Sequence, residues 1–184
     1  MTWRPPGEPP GAARLADRSP LTADGDHVTG PGVFDMKAGL VQLVWALRAL
    51  EAAGLARPPL RLLLNGDEEI GSPASRPLIE AAAEDAAAVL VFEASADGAV
   101  MERGPGTARL FAKARAVAAR MGLDLCECSV GGASDGNFAA ALGRPVLDGL
   151  GAVGAGAHAR HEHISVDGML ERATLTAALL HELA

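Results

Sequence analysis

Between residues 37 and 53 the apolar side chains Leu40, Leu43, Val44, Leu47 and Leu50 recur every three or four positions, and Gly54 follows as a stop. That spacing predicts an amphipathic helix with a left-handed C-terminal glycine. Further helices are predicted over 73–83, over the Ala-rich stretch 107–121 with Gly122 as its stop, over 134–142 with Ser134 as N-cap, and over 167–183 with Asp167 as N-cap. Between them lie apolar runs at 60–64, 88–92, 123–130 and 145–147, with a weaker one at 99–102. Uninterrupted runs of that length suit strands covered on both faces, and strands alternating with helices predict an α/β fold: an open, mostly parallel sheet with helices on both faces. Residues 1–32 are rich in Pro and Gly without a sustained period and read as surface loop, with one short edge strand near 27–29.

Composition narrows the class. The 184 residues suit one domain, and 49% hydrophobic against 21% charged residues is too apolar for a disordered chain. The net charge is −7 and no basic run interrupts it, so nucleic acid is not an expected partner. Charged residues break every apolar stretch before membrane-spanning length, and the N-terminus opens on Trp3, Arg4 and prolines where a leader would carry a basic and then an apolar region. Neither a membrane span nor a signal peptide is expected. Cys126 and Cys128 are too few and too close for a disulfide framework or a four-cysteine zinc knuckle, which fits a cytoplasmic protein.

The candidate chemistry is acidic and sits where predicted strands end. Asp67, Glu68 and Glu69 follow the run at 60–64, Glu93 ends the run at 88–92, and Asp35 precedes the first strong helix. Carboxylates gathered at one sheet edge repel unless protons or cations compensate them, although any one of them alone reads equally well as a cap or a solvated surface group. A second cluster, His158, His161, Glu162 and His163, could add an imidazole to a mixed nitrogen and oxygen metal site, or could be a polar turn. Gly149-Leu150-Gly151-Ala152-Val153-Gly154 fits the dinucleotide pattern, but no helix opens on its third glycine and too little chain follows. Gly131-Gly132-Ala133-Ser134-Asp135 lacks the spacing of a nucleophilic serine elbow.

Five motifs in order resemble one family. They are Gly30-Pro31-Gly32-Val33-Phe34-Asp35-Met36-Lys37, Asn65-Gly66-Asp67-Glu68-Glu69-Ile70-Gly71-Ser72, Glu93, Gly131 to Asn137, and Gly156-Ala157-His158 with Glu162 four residues on. Together they resemble the zinc-dependent peptidases that include glutamate carboxypeptidases, acetylornithine and succinyl-diaminopimelate deacylases and aminoacylases. The resemblance implies a pair of zinc ions, with Asp35 shared between them, Glu69 and His158 completing one site, Glu93 belonging to the other, and Glu68 as the general base. The implied reaction is hydrolysis of the amide of a small peptide or an N-acyl amino acid.

Two departures from that family qualify the expectation. The family's N-terminal His-x-Asp motif has no counterpart in residues 1–14, and His27 lies too close to Asp35 to match it. The lid domain that the family inserts between a strand and a helix is absent near 104–107. The expectation is therefore an irregular segment at 1–19 followed by a reduced catalytic domain over 20–184. It would bind about one zinc tightly, with activity impaired and self-association undetermined. The alternative reading is a non-catalytic metal-binding or interaction module on the same scaffold.

Overall fold

The computed structural model describes residues 20–94, 104–127 and 134–184. The expected strand at 99–102, residues 128–130 of the strand expected at 123–130, the irregular segment at 1–19, Cys128 and the Gly131–Ala133 part of one motif lie outside these residues, and 123–127 form no strand. Among the described residues the chain is a mixed α/β structure with two small sheets. Strands β1 (Thr22–Asp24) and β2 (His27–Thr29) form a hairpin through Gly25, and the chain then turns at Val33–Lys37 into helix α1 (Ala38–Ala53). A single 3-10 turn at Glu68–Ile70 leads to α2 (Arg76–Ala83) and β3 (Val89–Leu90). Then come α3 (Pro105–Arg120), α4 (Gly136–Ala141), β4 (Val146–Leu147), β5 (Gly154–Ala155), β6 (His163–Ser165) and α5 (Val166–Glu182).

The parallel pairing expected of the whole sheet is confined to β3 and β4, which align Val89 with Val146 and Leu90 with Leu147. The larger sheet has the order β1-β2-β6-β5 and is antiparallel throughout. The expectation of a mostly parallel sheet is thus corrected, for a physical reason. β5 and β6 are two and three residues long and carry glycine and histidine, so they show no apolar period in the sequence. The run at 60–64 forms no strand among the described residues, and Leu62 and Leu64 are 58% and 64% exposed. An apolar run identifies an extended segment but not the neighbour that would pair with it.

Helices do cover both faces of the parallel pair, as its side-chain alternation requires. Val89, Val91 and Val146 face Ala83 of α2 and Ala139 of α4. On the opposite face Phe92 and Leu147 join Leu43, Leu110, Phe111, Ala114, Leu150 and Leu179 in the main core, between α1, α3 and α5. The buried stripe of α1 is Ala38, Gly39, Gln42, Leu43, Ala46 and Leu50. Small residues in that stripe let α1 lie close to its neighbours, while Leu40 and Val44, part of the sequence pattern, are exposed. Gly39 stands where an added Cβ would meet the carbonyl oxygen of Phe92 at 2.5 Å, so the helix start touches the strand end directly. The cap of α5 is Ser165, whose hydroxyl accepts from Gly168 N at 2.9 Å, and not Asp167. Asp26 completes it, accepting from Ser165 Oγ and from Asp167 N, which ties the β1–β2 hairpin to α5. No helix among the described residues is long and apolar enough to cross a membrane.

Candidate metal centre

Asp35 lies in the turn between β2 and α1, after Gly32, whose φ of 70° places it in the left-handed region that favours glycine. Val33 and Phe34 anchor that turn by burying themselves against Ala38, Ala152 and Ile164. The Asp35–Met36 peptide is cis. Lys37 N donates to Gly32 O at 2.9 Å and Lys37 Nζ to Pro31 O at 2.7 Å, closing the loop on itself.

His158 sits in the β5–β6 connection at a φ of 61°. Ala159 N donates to Gly156 O at 2.9 Å and Glu162 N to Ala159 O at 3.1 Å, so this connection is a folded turn. Its Nε2 lies 2.9 Å from Asp35 Oδ2 and 3.1 Å from Glu69 Oε1. One ligating atom from each of Asp35, Glu69 and His158 falls within 4.8 Å of the others, a set of two oxygens and one nitrogen that could hold a metal ion. That donor chemistry suits zinc, which takes imidazole nitrogen and carboxylate oxygen.

Glu69 is carried by the 3-10 turn, and Asp67 builds the turn. Its carboxylate accepts from the Ser75 hydroxyl, from Ala74 N at 2.8 Å and from Ser75 N at 3.1 Å, and these bonds, the hydroxyl's first, hold its pKa below the usual carboxylate range. Asp135 spans from α4 to the same turn, accepting from Asn65 Nδ2 and Ser72 Oγ. The adjacent acids part company here. Glu69 reaches His158, whereas Glu68 is half-buried and its carboxylate makes no hydrogen bond among the described residues. Burial, followed by the neighbouring charges of Glu69, Asp135 and Asp35, raises the Glu68 carboxyl above its ordinary value.

Glu93 stands just past β3 and is not in the three-residue set. It is near enough for its charge to matter: burial first, then Asp35, Glu68 and Asp148, push its carboxyl up to about 8. Asp35 is also raised, by burial and then by Glu69. His158 is raised by the Glu69 charge against an opposing effect of burial, as expected for an imidazole between two carboxylates. A cleft whose acids are pushed toward protonation and whose base is pushed toward charge lacks positive charge, which a cation would supply.

One contributor was not singled out from the sequence, and a second was named there without a role of its own. Asp148 is buried behind the site, and burial raises its carboxyl. Glu162 was visible only as a cluster and motif position, yet the residue is 4% exposed and its carboxylate accepts three backbone N–H bonds from the Asp35 turn. An acid inside an apparently polar turn was the signal for it.

Carboxypeptidase G2 from Pseudomonas sp. (strain RS-16) is 37% identical over 82 residues, which is 44% of this chain and 20% of that protein. The aligned stretch is thus about a fifth of the relative's length. The crystal structure of aminopeptidase PepT from Bacillus cereus superposes with a TM-score of 0.69 at 13% identity, over 89% of this chain and 76% of that one. An M18-family aminopeptidase from Thermotoga maritima superposes with a TM-score of 0.52 at 16% identity, over 88% and 48%. These likenesses show a shared fold. The sequence profile of peptidase family M20/M25/M40 matches residues 8–182. Because that match runs through every strand, helix and candidate ligand described above, the chain belongs to peptidase family M20/M25/M40.

Proposed function

We propose that the chain is a zinc-dependent amide hydrolase acting on a small peptide or an N-acyl amino acid, of carboxypeptidase or deacylase type. The observation that carries this reading is the approach of Asp35, Glu69 and His158, three donors from separate loops, in a cleft short of positive charge. Those three residues would hold one ion, with a place left open for water, as in catalytic zinc sites. Asp35 and Glu93 alone would offer a second ion a weaker place. A bound ion would supply Lewis acidity toward the amide carbonyl and make water more acidic. Glu68, close to the ligands without joining them, would take the proton of the attacking water and return it to the leaving amine.

The experiment is zinc titration by calorimetry with elemental analysis after dialysis, followed by turnover of dipeptides and N-acyl amino acids. About one zinc should remain tightly bound, and Glu68→Gln should keep it while lowering turnover by about 10²–10⁴-fold. Equal loss of zinc and turnover would make Glu68 a ligand. Zinc binding with no turnover of either substrate class would mark a metal-binding module on a peptidase scaffold.

A further inference from the structure

We infer that Glu162 is a positioning residue that holds Asp35 and His158 in ligating register, an inference that rests on the metal-site reading above. Its carboxylate is buried, and each of its oxygens is used. Oε1 accepts from Phe34 N at 2.9 Å and Asp35 N at 3.0 Å, and Oε2 accepts from Gly32 N at 2.7 Å. These donors are the backbone of the turn that carries Asp35, and with Gly32 left-handed they converge as an anion-binding concavity. The anion that fills it comes from the chain itself, 127 to 130 positions away.

The backbone of Glu162 works in the same direction. Its carbonyl accepts from Gly30 N at 3.2 Å, and its N–H closes the turn that bears His158 through Ala159 O. One residue therefore grips the Asp35 turn by side chain and carbonyl, and the His158 turn by its amide. The two side chains so fixed meet at 2.9 Å. A carboxylate bonded to several N–H groups is held more strongly than a neutral acceptor would be, because the bonds are charge-assisted. Without it, three donors in a half-buried turn lose their acceptor, and the turn must rearrange or take in water. Asp35 is then free to drift from His158, and the donor set is no longer assembled before a metal arrives. Groups that orient metal ligands typically contribute 10–100-fold to affinity.

The test compares the whole chain with Glu162→Ala, Glu162→Gln and Leu110→Ala. The last change is made in the main core, at a residue that makes no contact with Glu162 in its cluster, as a control for lost stability. Zinc affinity is read by competition with a chromophoric chelator at a temperature where circular dichroism shows each variant folded. Hydrogen exchange of residues 30–36 is read separately in EDTA. Glu162→Ala should bind zinc at least about tenfold more weakly. Glu162→Gln should fall between, since its amide nitrogen sets a donor against at least one N–H. Both should exchange faster than wild type at 32–35, while Leu110→Ala changes neither measurement. If Glu162→Ala does not fold, Glu162→Gln decides. Unchanged zinc affinity in a folded Glu162 variant would overturn the inference and leave the metal site standing. Failure of the wild type to bind zinc would remove the metal reading instead. In that case exchange in EDTA decides: faster exchange in the variants alone upholds the positioning of Asp35, and equal exchange refutes it.

Discussion

Glu93→Gln should stabilise the metal-free protein at alkaline pH and leave it unchanged in acid. Burial and the surrounding acids push the Glu93 carboxyl from 4.5 up to about 8, so the folded protein binds a proton there that the unfolded chain releases. A carboxyl raised on folding contributes stability that is complete below the unfolded value and is lost as pH rises through the folded one. The window is thus about pH 4.5 to 8. At about 1.4 kcal/mol per tenfold in proton affinity the full displacement corresponds to about 5 kcal/mol, and solvent on the open side of this half-buried group lowers that to about 2–3 kcal/mol. Glutamine has the shape of the protonated acid and cannot ionise. In EDTA, urea unfolding followed by circular dichroism should therefore give the same midpoint for both proteins at pH 4.5. At pH 9 the variant should lead by about 1 M, taking an m-value of about 2 kcal/mol/M. Asp35, Glu68, Asp148 and His158 are raised as well and give the wild type a slope of the same sign, so the quantity to compare is the difference between the two proteins. A difference that is equal at both pH values, or a wild type that is the more stable at pH 9, would refute the electrostatic account of the cleft.

Two further outcomes follow from the packing. Gly151→Ala should lower stability by about 3 kcal/mol in urea unfolding, because an added Cβ would sit 2.6 Å from the Phe92 carbonyl oxygen and closer still to that of Glu93; a loss under about 1 kcal/mol would mean that the strand end yields easily. Leu62→Lys should lower any concentration-dependent association seen for the wild type in sedimentation velocity, since Leu60, Leu62, Leu63 and Leu64 are exposed on a segment that joins no strand among the described residues, and charge on such a segment blocks strand pairing. Unchanged association would place the contact elsewhere.

What the sequence revealed divides along physical lines. Helices at 38–53 and 105–120 were legible because their apolar spacing and glycine stops are local properties. So were the strands at Val89–Leu90 and Val146–Leu147 with helices on both faces, because their apolar runs show in the residues themselves. The antiparallel sheet was not legible, since the register of His27 with Ser165 and of Gly154 with Ile164 is fixed by backbone bonds between remote segments that carry no hydrophobic signature. The same holds within the site. Asp35, Glu69, Glu93 and His158 were recognisable as chemistry-bearing types at motif spacing. That Glu69 and not Glu68 meets His158 was implied by the family resemblance alone; physically it depends on a turn that Asp67 closes locally and Asp135 ties down from a distant segment.

The distribution of the candidate ligands over separate parts of the fold explains why the site needs so much scaffolding. Asp35 and His158 belong to loops of the antiparallel sheet, whereas Glu93 leaves the parallel pair and Glu69 sits on the turn ahead of α2. An ion held by Asp35, Glu69 and His158 would join the two halves of the fold, and its affinity would depend on how well each half is fixed before it arrives. On one half the fixing is polar, through Glu162 and its three N–H bonds. At the junction it is steric and backbone-mediated. Gly151 N donates to Glu93 O at 2.9 Å, Leu150 N donates to Val91 O at 3.1 Å, and Gly39 lies against Phe92, so the strand end carrying Glu93 is clasped between α1 and the segment entering β5. The backbone of that strand end is thereby fixed, and burial first, then the neighbouring acids, raises the proton affinity of the Glu93 carboxyl in the metal-free protein.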